Sequence, residues 1–170
     1  MEPIPDEMLD IANDFHSRLS KDQSEEYFDN FRKQQPCMSS FISSCIDFVK
    51  KDKNAWEKFI KLTTITVHGY KYYNLNLAEI KEDSASMMIK KWAAKLKANN
   101  PQMAIALFHK HKHELMQPHL FKMYDEWIFG TPEEPSLIKQ KDQIYMYFTL
   151  INIVDLFNQE VLKLLPPDEK

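Results

Sequence analysis

The chain has 170 residues, enough for one domain with its own core, and its hydrophobic fraction of 44% is typical of a globular protein. Its net charge of −3 gives no overall attraction to nucleic acid, and Arg18 and Arg32 are the only arginines, so we expect no sequence-specific binding to DNA. No apolar run of about 18 residues is present, and the acidic first residues lack the pattern of a secretory signal. We therefore expect a cytoplasmic protein without a membrane span.

Glycine and apolar spacing together indicate the fold class. Gly69 and Gly130 are the only glycines, whereas a β-rich chain of this length would need several for its tight turns. Apolar residues recur at helical spacing along most of the chain. We predict an all-α fold in which residues 1–170 form a single domain with flexible ends at 1–5 and 166–170. The predicted architecture is a bundle of seven to eight helices around a long, hydrophobic C-terminal helix.

The first half of the chain predicts four helices. The second covers about 23–34, and Pro36 suits the first turn of the third. Asn54 is a natural N-cap for the fourth, whose apolar period continues through the β-branched run LTTITV, so we predict helix there instead of strand. The first helix begins near residue 6, and its predicted apolar face is Met8, Ile11, Phe15 and Leu19.

The second half predicts four more helices after a polar connection at about 74–84. Asn100 is a natural cap and Pro101 a natural first residue for the sixth helix, which we extend to about Gln117. Pro118 opens the seventh helix, and Gly130 lies just past its end. The last helix, from about 136 to 165, is apolar nearly all round in its middle, as expected for a helix packed on several sides.

The segment FHKHKHELMQPHL, residues 108–120, raises the question of a metal site. A strand would place His109, His111 and His113 on one face, but a helix places His111 in the apolar stripe and the other two on the opposite side. A third ligand would then have to come from His119 or from a carboxylate such as Asp125. We expect no metal, with His109, His113 and His119 as weak candidates. Weak metal or pH sensing by the cluster is an alternative, since imidazoles titrate near neutral pH.

Charge is segregated along the chain. Residues 84–113 contain no acidic residue, whereas acidic residues dominate the first thirty positions. We predict that the basic segment docks an acidic protein partner, or the acidic region of a second copy. Solvated, internally complementary faces and contact with phosphates are the alternatives, the latter weakened by the scarcity of arginine. The predicted partner-binding residues are Lys90, Lys91, Lys95, Lys97, His109, Lys110, Lys112 and His113.

Catalytic motifs are largely missing from the sequence. Two isolated glycines cannot form a phosphate-binding loop, and HExxH, CxxC and GxSxG do not occur. We expect a binding or regulatory module without catalysis or cofactor, and no small-molecule substrate is indicated. The alternative is a magnesium-dependent all-α phosphohydrolase, because carboxylates three apart share a helix face and can hold a hard cation. Its candidate residues are Glu26, Asp29, Glu79 and Glu82.

Overall fold

The computed structural model describes residues 1–49, 51–73, 80–95, 97 and 100–165, apart from the side chains of residues 41 and 44–48. Within these residues the protein is all-α, as predicted, with one isolated β-bridge between Gly130 and Pro135. No helix in these ranges is both long and apolar enough to cross a membrane. The α-helices are α1 (Asp6–Ser17), α2 (Lys21–Gln34), α3 (Pro36–Val49), α4 (Lys53–Tyr70), α5 (Glu82–Lys95), α6 (Pro101–His111), α7 (Pro118–Tyr124) and α8 (Gln140–Leu164).

Helices α4 and α8 form the centre of the fold. Helix α8 packs against α3, α4, α5 and α6, and α4 packs against α1, α2 and α3 as well. The LTTITV run of α4 is helical, as predicted, and fully buried. Thr64 and Thr66 satisfy their hydroxyls within the helix, on the carbonyls of Ile60 at 3.0 Å and Leu62 at 2.6 Å. These bonds let Thr64 and Thr66 be buried in a helix, whereas the buried Thr63 hydroxyl has no hydrogen-bond partner among the described residues.

Local signals place several helix ends. Asn100 caps α6 by accepting from the Met103 amide at 2.9 Å, and Pro101 is the first helical residue, as predicted. Pro118 opens α7, and Gly130 ends the π-helical turn that continues α7 through residues 125–129. The predicted cap of α4 is wrong by two positions. Asp52 accepts from the amides of residues 54 and 55, because an Asp side chain just before the helix reaches both free N–H groups.

The predicted apolar face of α1 is also wrong. Ile11 and Phe15 are 56% and 44% exposed, whereas the buried residues are Leu9, Ala12 and His16. The helix is turned by about one residue because it packs against α4 at Gly69, where a Cβ atom would lie 3.0 Å from Leu9 Cδ2. Close approach at a glycine thus decides which of two overlapping apolar stripes faces the core.

Four distant parts of the chain meet in a buried amide network. Gln117 Oε1 accepts from the Ile4 amide at 2.9 Å, and Ile4 is fully buried although it lies in the segment predicted to be flexible. Asn158 of α8 accepts from the Tyr70 hydroxyl at 2.6 Å and from Gln117 Nε2 at 3.3 Å. Its own amide donates to the carbonyl of Leu115 at 2.7 Å. The N-terminus, α4, the α6–α7 connection and α8 are therefore held together by hydrogen bonds without water access.

Candidate functional site

Three of the lysines predicted to bind a partner are engaged inside the chain. Lys91 donates to Asp155 of α8 at 2.6 Å, while Lys95 pairs with Glu114 and Lys112 pairs with Asp125. Asp155 is almost completely buried and also accepts from the Trp92 indole at 2.7 Å. These ion pairs attach α5 and the end of α6 to their neighbours. They also neutralise three of the six lysines of residues 84–113.

The remaining lysines of this segment form what we call the basic surface, namely exposed Lys90, Lys97 and Lys110 together with exposed His113. None of the four makes an ion pair with the described residues. Lys110 precedes His113 by about one helical turn, so the two lie on the same side of the α6 end. Lys110 and His113 are therefore both exposed near the end of α6, and the charge of Lys110 is available to a partner.

Three of the four histidines of the 108–120 segment each lie near a different carboxylate. His111 lies 2.6 Å from Glu114, and His119 lies 2.8 Å from Asp6 of α1. His109 is 3.7 Å from Asp125, and its pKa is lowered chiefly by burial and partly by Lys112, against the opposing effect of Asp125. Across the described ranges no three His, Cys, Asp or Glu side chains converge in a group that could hold a metal ion.

A cleft of about 580 Å³ lies beside this segment. Its apolar wall is formed by Met116, Pro118 and Phe121, and Lys112 and His113 lie at its edge. We call it the Phe121 cleft. Met116 has a left-handed backbone with φ of 52°, which turns the chain between the short 3₁₀ turn of residues 112–115 and α7. A pocket of this size with an apolar wall and a few charged groups is suited to bind a side chain or a small molecule.

Asp125 is one of the charged residues that line the Phe121 cleft, together with Lys122 and Glu126. It begins the π-helical turn, a widened geometry that often occurs at functional sites. The Tyr147 hydroxyl donates to Asp125 at 2.8 Å, and burial together with this carboxylate raises the pKa of Tyr147 well above its usual value. Asp125 also accepts from Lys112. Two donors, Tyr147 and Lys112, therefore hold the Asp125 carboxylate in place in the lining of the cleft.

Three of the four acidic residues of the alternative enzyme hypothesis fall within the described residues, and they lie on two different helices. Glu26 and Asp29 are exposed on α2, and Asp29 lies 3.7 Å from Arg32 of the same helix. Glu82 is the exposed first residue of α5, and Glu79 lies outside the described residues. No described contact joins Glu82 to the α2 pair.

A buried histidine pair was missed by the sequence analysis. His16 of α1 is 3% exposed, and its ring centroid lies 5.7 Å from that of His68 on α4. The pKa of His16 is lowered from 6.5 to about 4, chiefly by burial and in smaller part by repulsion from His68, Lys61 and Lys71. The Thr64 backbone opposes this shift weakly, although no hydrogen bond of ordinary geometry reaches the His16 ring. In the sequence, the only signal for a buried His16 was its position four residues after Ala12, on the same face of α1. The predicted apolar face of that helix was turned by about one residue from this face, so His16 was not identified as buried.

Replacing His16 by phenylalanine should remove part of the loss of stability in acid. The folded-state pKa of about 4 lies below the ordinary value of 6.5, so the unfolded chain binds more protons between these pH values. The free energy of unfolding of the wild type should therefore fall by an extra amount of about 2 kcal/mol as the pH decreases through that window. Urea denaturation across the window measures this difference. A matched control is His113→Gln at an exposed imidazole, and equal pH dependence in His16→Phe and wild type would contradict the prediction.

These features define an all-α protein with a basic surface next to an apolar cleft. Comparison with protein-family models, curated proteins and solved structures finds no match for this chain. What the protein binds must therefore be inferred from its own side chains.

Proposed function

We propose that the protein is a binding or regulatory module without catalysis of its own, and that it engages an acidic segment of a protein partner. The contact would use the basic surface, with an apolar side chain of the partner entering the Phe121 cleft. The observation that supports this proposal is the position of His113, which belongs to the basic surface and also lines the cleft. A single partner segment can therefore contact both features.

Charge and shape favour this class of partner. Lys97 and Lys110 offer solvated positive charges without internal partners among the described residues, and such charges mainly steer and orient an acidic partner. The apolar wall of Met116 and Phe121 supplies the desolvated contact from which most binding energy arises. The scarcity of arginine makes phosphate groups a less suitable target than carboxylates spread along a peptide.

Reversing two charges of the basic surface should weaken binding to acidic peptides by about tenfold. The measurement uses fluorescent peptides with glutamates on both sides of a central leucine, titrated into Lys97→Glu/Lys110→Glu and into the matched surface control Lys33→Glu/Lys139→Glu. The loss should appear only in the first variant and should diminish as salt is raised, because exposed charges are screened. Equal affinity of both variants would contradict the proposed surface.

The contribution of the cleft is tested separately by changing the peptide. Replacing the central leucine by serine should weaken binding to the wild type, because the Phe121 cleft then loses its apolar ligand. A peptide that binds equally well with serine would show that charge alone is recognised, and it would remove the cleft from the proposal.

A further inference from the structure

A second pocket, of about 300 Å³, lies among α1, α2 and α4 and is separate from the Phe121 cleft. We call it the His16 pocket. Its polar wall includes His16, Ser17 and Lys61, and its apolar wall includes Leu19 and Ile60. The pocket therefore places hydrogen-bond donors opposite aliphatic side chains.

His16 contributes an unpartnered polar group to this pocket. Its side chain is almost completely buried, and neither ring nitrogen makes a hydrogen bond within the described residues. His68 beside it also has an unpartnered buried nitrogen, Nδ1. A buried N–H without an acceptor is costly, and most such groups in native proteins have a protein, water or ligand partner. The His16 ring thus has hydrogen-bonding capacity that this part of the chain leaves unused.

Lys61 contributes a positive charge without a carboxylate partner among the described residues. Its ammonium donates to Ser17 Oγ at 2.7 Å and lies 4.7 Å from the centre of the Trp127 ring. Partial burial lowers the pKa of Lys61 because it removes water from the charged form. A half-buried ammonium that contacts only neutral groups has unused capacity to bind an anion.

The carboxylates of the pocket do not supply that anion. Glu25 is 3.8 Å from Lys21 on α2, and Glu57 is 3.9 Å from Lys53 on α4. Both side chains are nearly half exposed and are balanced by these neighbours. Behind the His16 ring, Lys71 adds a further positive charge. Among the described residues, Lys61 is therefore the charged group of the pocket that no carboxylate balances.

We propose that the His16 pocket binds a small monocarboxylate with a short apolar tail. The carboxylate accepts hydrogen bonds from Lys61 Nζ and from a His16 ring N–H, and the tail contacts Leu19 and Ile60. A single negative charge balances the single unpartnered ammonium of Lys61. A phosphate dianion would carry one negative charge more than the Lys61 ammonium balances, so a monocarboxylate is the better match. This site does not depend on the proposed peptide-binding function.

Butyrate titrated into the full-length wild-type protein, followed by NMR of the histidine rings, tests the site directly. We expect saturable shifts of the His16 ring signals, and a higher pKa of His16 in the presence of butyrate, because a nearby carboxylate stabilises the protonated ring. Lys61→Met should weaken binding by about tenfold, since it removes a charge-assisted hydrogen bond. The matched control is Lys58→Met on the same helix, where Lys58 donates to the Trp127 carbonyl at 3.1 Å, and it should bind as the wild type does.

Three outcomes would overturn the proposal. The first is no saturable change of the His16 signals in the wild type, a result that does not depend on any variant folding. The second is equal binding by Lys61→Met and Lys58→Met. The third is inorganic phosphate, at equal ionic strength, binding as tightly as butyrate, because the site would then not select a monocarboxylate.

Discussion

Replacing Asn158 by leucine should lower the free energy of unfolding by about 3–5 kcal/mol. The side chain is buried in α8, and its loss leaves the Tyr70 hydroxyl, the Leu115 carbonyl and an amide hydrogen of Gln117 with fewer partners. Leucine has a similar shape, so the expected loss comes from unsatisfied buried polar groups and not from a cavity. Urea denaturation followed by circular dichroism measures the change.

Asn152 provides a matched control in the same helix. It is equally buried, but its amide donates only to the Phe148 carbonyl of α8 at 2.8 Å, and its Oδ1 has no described partner. Asn152→Leu should therefore be near neutral or stabilising, because it removes an unpaired buried oxygen without stranding a group on another helix. If both leucine variants lost the same stability, the amide network would not be the cause.

The helical fold could be predicted because its signals are local. Asn100 followed by Pro101, and Gly130 beyond α7, act on the backbone within a few residues, so sequence spacing alone indicates where helices begin or end. The β-branched run of α4 was ambiguous between strand and helix, and the period of its apolar residues gave the right answer. Local periodicity is thus sufficient for the class of fold.

The orientation of helices could not be predicted in the same way. On α1, two overlapping apolar stripes are possible, and only contact with Gly69 on another helix selects the one with Leu9 and His16. Lys91 and Asp155 are 64 positions apart, and nothing in either local sequence indicates that they pair. Charge segregation along the chain therefore overestimated the free basic surface, because half of its lysines meet carboxylates from other elements.

In the candidate site, too, the side of a helix on which a residue lies could be predicted, whereas its contacts with other elements could not. Helical spacing placed His111 on the inner side of α6, and its side chain is indeed only 18% exposed. The His16 pocket has no motif because it is assembled from α1, α2 and α4, whereas the Phe121 cleft is formed mainly by residues 112–126, whose spacing alone did not indicate a cleft. Spacing identifies a residue's face on its own helix, but only the packed structure reveals the residue opposite.

Replacing Gly130 by alanine should lower the free energy of unfolding by about 3 kcal/mol. Gly130 has φ of 83° and ψ of −177°, a region essentially restricted to glycine, and an added Cβ would lie 2.5 Å from the Glu134 carbonyl oxygen. The backbone at Gly130 and the facing backbone at residues 134–135 cannot easily move apart. The Gly130 amide donates to the carbonyl of Glu126 at 3.0 Å, and Gly130 pairs with Pro135 in the β-bridge.

Gly69→Ala is the control that separates backbone strain from the loss of glycine as such. Gly69 lies within a helix, where alanine is intrinsically favoured, and its added Cβ would meet only the flexible ends of Leu9 and Ile4, at 3.0 and 3.4 Å. The higher helix propensity of alanine and the steric contact of its Cβ oppose each other, so the variant should lose much less stability than Gly130→Ala in the same urea denaturation.

Because Glu126 and Asp125 belong to the π-helical turn beside the Phe121 cleft, Gly130→Ala should also weaken the binding of leucine-containing peptides, whereas Gly69→Ala should not. A Gly130→Ala protein with unchanged stability would show that the turn adjusts freely and does not fix that edge of the cleft.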